Sequence, residues 1–228
     1  WVEDVTDLRD YWLVRVEQAL HRPRGDVSQV VAQAIKRNKS NFTLGLFYAS
    51  DQAMQRRDFA EAVEILEVSC IDGLREQPYW LNQLAYFRSL AVLELDIALE
   101  DINRALEAKP DDGSLRDTRA WVLFQMGRPL EALADADFAV DTLSRLQSSD
   151  VPWYDVLKRL ELSLTSHPEP RSPDKVLTLK EAGQQLWGQG ALHYHRAKIL
   201  EALGRTEQAE ADLQWLRERR LPTDDRLF

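Results

Sequence analysis

One passage of this chain is written twice. Arg119-Ala120-x-x-Leu123-x-x-x-Gly127-Arg128 returns as Arg196-Ala197-x-x-Leu200-x-x-x-Gly204-Arg205, and Ala132, Ala134 and Asp135 return in step, with no gap, as Ala209, Ala211 and Asp212. A unit that recurs in this way cannot hide its apolar face alone and does so by stacking on its copies, which confines the fold to an array. Fainter copies precede these two. About 34 residues before Ala132 lies Ala98, followed by Ile102, Ala105 and Pro110, and about 36 residues earlier again lies Ala62, preceded by Phe59 and followed by Leu66.

The repeated unit reads as helix. Only nine Gly and nine Pro punctuate the 228 residues, and between them run stretches rich in Ala, Leu, Glu, Arg and Gln, which favour helix. Leu8, Tyr11, Trp12, Val16 and Leu20 fall at three- and four-residue spacing in a first helix ended by Pro23 and Gly25, and Asp26 is placed to cap a second through Val30, Val31, Ala34 and Ile35. Further helices are predicted at about Phe42 to Gln55, Asp58 to Cys70, Tyr79 to Leu93, Asp96 to Ala108, Ser114 to Met126 and Pro129 to Leu146. No segment alternates apolar and polar residues between turn signals, so no strand is predicted.

The stops between helices alternate in kind. Met126-Gly127-Arg128-Pro129 is tight enough to join two helices of a pair, whereas Lys109-Pro110-Asp111-Asp112-Gly113 separates one pair from the next. Arg57 stands where the first unit would have its turn glycine, Leu93 to Ile97 predicts a shortened turn in the second, and Ser144 stands where the third would close on proline. Alanines at matched positions fit close helix crossings, since axes ~8 Å apart leave no room for branched side chains.

Small residues at Ala98 and Ala105 before Pro110, and at Ala120, Gly127, Ala132 and Ala139, make this pattern resemble the tetratricopeptide repeat, a helix-turn-helix unit of ~34 residues. The likeness covers about Asn41 to Leu146 and Leu186 to Pro222, and Leu81 to Pro110 is similar to divergent bacterial versions, often the C-terminal part of larger proteins. It implies an all-α, right-handed α-solenoid of about ten to twelve helices. The layout expected is an N-terminal helical pair at 1–40, about three repeats at 41–146, an insertion at 147–183 and a final repeat with its capping helix at 184–228. Within the insertion, Asp150 and Pro152 suit the start of a helix reaching about Thr165, and the prolines from Pro168 to Pro173 require an extended loop.

The resemblance also implies a job, binding a protein or peptide without turnover, on a concave surface lined by the first helix of each pair. In the register above, Phe47 and Asp51, Gln83 and Phe87, Asp117, Trp121 and Phe124, and Tyr194, Lys198 and Glu201 fall there. Aromatic anchors with acidic neighbours would suit a partner with apolar and basic residues. Phe87 and Trp121 could equally be stacking residues between pairs. The alternative is a regulatory or tethering domain of a larger enzyme or membrane-anchored protein. The chain starts at Trp1 rather than Met and is expected to be part of a longer one.

Other chemistries find little support. Thirty-eight acidic against 29 basic residues give a net charge of -9, which works against a phosphate-binding surface and hence against nucleic acid. Cys70 is the only cysteine, so neither an intramolecular disulfide nor a cysteine-based zinc site can form, and with no nearby histidine it reads as a buried inert thiol. His193 and His195, two apart on a helix, point away from one another and cannot grip one metal ion. Asp135, Asp137 and Asp141 lack the glycine and closing Glu of a calcium loop and read as solvated charge. Gly183, Gly188 and Gly190 follow no strand and read as loosened helix packing rather than a phosphate cradle. No cofactor is expected. The longest apolar stretches, such as Leu44 to Ala49, fall far short of the ~20 residues of a membrane span.

Overall fold

The computed structural model describes residues 57–69, 75–146 and 173–224. All its regular structure is helical: α1 (Phe59–Ser69), α2 (Pro78–Ala91), α3 (Leu95–Ala108), α4 (Gly113–Gln125), α5 (Pro129–Leu146), α6 (Pro173–Ala202) and α7 (Thr206–Glu218). The helices expected before Arg57, and that expected between Pro152 and Thr165, lie outside the described residues, as do Phe47 and Asp51. The chain divides into two compact units. One takes α1, α2, α3 and Trp121–Met126; the other takes Asp112–Ala120, α5, α6 and α7.

Local chemistry starts the helices where the sequence signals them. The Asp58 carboxylate accepts the Glu61 backbone N–H at 3.1 Å ahead of α1, and Asp112 accepts those of Ser114 and Leu115 at 2.9 and 3.3 Å ahead of α4. Pro78, Pro129 and Pro173 open α2, α5 and α6, where a missing N–H leaves no helical bond unmade.

The turns within the pairs follow one plan. Three residues separate α2 from α3, α4 from α5, and α6 from α7. The expected shortening at Leu93 to Ile97 is therefore absent. Ala85, Ala120 and Ala197 each precede, by seven residues, one that turns the chain through the left-handed region: Val92 (φ 52°), Gly127 (φ 74°) and Gly204 (φ 73°). The second turn holds two such residues, since Glu94 also has a φ of 48°, and it sets Ala98 six residues after Val92, where Ala132 and Ala209 follow their glycines by five. Arg57, at the turn position of the first unit, has a φ of 57°. The bonds closing the turns match too. Leu93 N–H reaches the Arg88 carbonyl and Arg205 N–H the Leu200 carbonyl, each at 2.9 Å, the hydrogen-bond signature of a helix ended by a left-handed residue.

The matched alanines form the centre of each unit. Ala62, Ala85, Ala98 and Ala105 have no exposed surface in the first, among Ile65, Leu66, Trp80 and Ile102, and in the second Ala120, Ala132, Ala139 and Ala197 have none. Within the second unit Ala139 and Val140 of α5 meet Leu192 of α6. α6 runs unbroken for 30 residues through Gly183, Gly188 and Gly190. At Gly188 an added Cβ would meet nothing within 4 Å, so no close approach requires that glycine.

Candidate partner-binding surface

Behind any surface lies a set of buried charges that the repeat carries from pair to pair. Ala98-x-x-Asp101, Ala132-x-x-Asp135 and Ala209-x-x-Asp212 occupy the second helix of three successive pairs, and the three carboxylates are 8, 4 and 2% exposed. Each meets an arginine of the helix before it. Arg119 grips Asp135 through Nε at 2.6 Å and Nη2 at 2.8 Å. Arg196, its repeat mate, grips Asp212 the same way at 2.8 and 2.7 Å. Such bidentate forks are the strongest geometry an arginine and a carboxylate can adopt.

A third group completes each fork. Arg116 donates to Asp135 Oδ1 at 2.8 Å, and at the matching position His193 Nδ1 lies 2.6 Å from Asp212 Oδ1, its ring stacked on Trp215 with centroids 3.9 Å apart. Burial alone would raise the Asp212 carboxyl, but hydrogen bonds from Arg196 and His193 outweigh it and hold it below the usual carboxylate range. Asp101 has the opposite outcome. There burial outweighs Arg88, which donates to it at 2.7 Å, and the carboxyl is raised. Asp135 is thus no solvated charge but a buried one, because the helix turns it inward onto two arginines, whereas Asp137 stays 54% exposed.

His193 and His195 do point apart on α6, and each finds its own carboxylate. His195 has no exposed surface, and its Nδ1 lies 2.9 Å from both oxygens of Asp117. Asp117 is therefore a core partner of His195 rather than an open acidic group. Among the described residues no group of three or more His, Cys, Asp or Glu is placed to hold a metal ion.

The other residues expected at the surface separate by depth. In the first unit Phe87 and Trp121 are only 6 and 5% exposed, so both are packed residues as the structure stands. Gln83 is half-buried, and so is Phe124, whose ring stacks on Trp121 with centroids 5.0 Å apart. In the second unit Tyr194 is 6% exposed, while Lys198 is half-buried and Glu201 exposed. Lys198 donates to Glu201 at 2.8 Å and sits 5.6 Å from the Tyr194 ring centroid. That hydrogen bond raises the lysine above its ordinary range, so it stays charged.

The turn residues also correct the register in the first unit. Counted back from Val92, Gly127 and Gly204, the position of Trp121 and Lys198 belongs to Tyr86, and that of Asp117 and Tyr194 to Asn82. Gln83 and Phe87 are one residue too late. Tyr86 is half-buried where Phe87 is enclosed. The signal that would have found it was the spacing from Ala85 to Val92, hidden because valine does not announce a left-handed turn.

These features define a class: paired helices repeated along one chain, all-α among the described residues. No family model matches the chain, and no curated protein matches it. A solved tetratricopeptide repeat protein from Parabacteroides merdae is similar at 16% identity and a TM-score of 0.42, over 96% of this chain and 83% of that one. None of the described helices is long and apolar enough to cross a membrane.

Proposed function

We propose that the chain is a non-catalytic scaffold that holds a protein or peptide partner on the surface lined by its first helices. One observation carries this reading. In the first unit Tyr86 and Phe124, on the first helices of two pairs, are half-buried aromatics, Phe124 stacked on the enclosed Trp121. Partly exposed aromatics held in place on successive helices suit a complementary protein surface, where such side chains supply much of the binding energy. Phe124 is the best anchor in the first unit, because the stacked Trp121 holds its ring in place and leaves part of it open. Charge steering by Asp117 drops out, since that carboxylate is buried against His195.

The test is capture of partners from a lysate by the wild-type chain and by Phe124→Ala, compared by quantitative mass spectrometry. A protein retained by the first and lost by the second, with unchanged helical content, supports the reading. Identical sets would end it for this face.

A further inference from the structure

We propose that the turn between α2 and α3 is a separate docking point, for a protein segment that carries an apolar anchor flanked by Lys or Arg. Val92, Leu93 and Ile97 are 60, 40 and 44% exposed, three large apolar side chains within six residues of a turn, where polar residues would be the ordinary choice. Val92 is also in the wrong backbone region for its side chain. The matching turns place Gly127 and Gly204 there, and a β-branched residue with φ of 52° carries strain that glycine avoids. With Val92 60% exposed, little packing among the described residues offsets that strain. A strained residue with little internal compensation points to an external one.

Charge selects the occupant. From Val92 to Glu100 the charged residues are Glu94, Asp96 and Glu100, all exposed and all acidic. Glu67 joins them through Arg88, a buried guanidinium that reaches Glu67, Glu94 and Asp101 together, one cation among three carboxylates. An acidic rim repels anionic lipid headgroups, and it repels a second copy of a chain whose net charge is -9. It attracts a basic segment whose apolar side chain settles on Val92, Leu93 and Ile97.

The experiment titrates the full chain into a fluorescent amphipathic peptide with Leu on one helical face and Lys on the other, and into the same peptide with Glu in place of Lys, read by anisotropy. Binding of the Lys peptide alone, weakened about tenfold or more by Leu93→Ser with Ile97→Asn, is the expected result. Should that variant fail to fold, Asp96→Lys with Glu100→Lys tests the rim at exposed positions and should weaken the Lys peptide to a similar degree. Val92→Gly should weaken binding while stabilising the fold, a pairing that a purely structural valine would not show. Phe124→Ala should leave this affinity unchanged, which separates the turn from the face proposed above. Equal binding of both peptides, affinity untouched in the folded variants, loss on Phe124→Ala, preference for phosphatidylserine vesicles, or self-association through the turn would each overturn the proposal.

Discussion

Val92 and Gly204 end their helices at the same hydrogen-bonded position and should respond to mutation with opposite signs. Val92→Gly removes a β-branched side chain from a left-handed backbone and should raise stability by about 1 kcal/mol, whereas Gly204→Ala, with φ of 73° and open space around it, should lower it by about the same amount through backbone strain alone. Urea midpoints of the two variants check this. Asp212 carries a pH dependence. A carboxylate held below its free value contributes stability that is fully present above pH ~3.9 and is lost as pH falls through the lowered value. Asp212→Asn should therefore be less stable than wild type by about 2 kcal/mol at neutral pH, since Arg196 loses its fork, and the gap should narrow as the wild type is acidified. Asp101, raised, works in the other direction, and acid relieves it. The pattern of alanines and turn glycines was legible at this scale because small size and positive φ leave a mark in composition. The buried Asp135 was not, because an aspartate on a helix looks the same in sequence whether it faces water or two arginines.

At the scale of single helices, the alanines at crossings give the sharpest expectation. Ala132→Leu and Ala209→Leu, at positions 0 and 1% exposed, should each cost about 1 to 3 kcal/mol as added methylenes force the paired helices apart. Trp121→Ala should act as a core deletion and cost about 3 kcal/mol, so its effect on a partner cannot be separated from unfolding and Phe124 is the cleaner probe. α6 passes unbroken through three glycines between 183 and 190, although each loses ~1 kcal/mol in helix propensity, while α5 and α7 pack against the helix. Gly188→Ala should accordingly gain up to about 1 kcal/mol, visible as a higher melting temperature. The register of the second pair was misread because the turn residue there is valine.

For the chain as a whole, an all-helical repeat predicts a far-ultraviolet circular dichroism spectrum dominated by helix, and a strand-dominated spectrum would contradict the fold. The class was legible from the chain because periodic spacing and paired stops are properties of many residues at once, and no single misjudged residue erases them. The face proposed for binding was legible only in part, since which of two adjacent helical residues faces out depends on one turn, and depth depends on neighbours far along the chain.

The fork shared by Arg119 with Asp135 and by Arg196 with Asp212 makes the two pairs interchangeable parts. A second helix exchanged at Gly127 or Gly204 would bring a carboxylate to the spot where the resident arginine already waits, so the joint would be wired before any side chain was redesigned. Duplication or shuffling of such a module starts from a working electrostatic connector, and an array lengthened by copying this segment inherits it at each new joint.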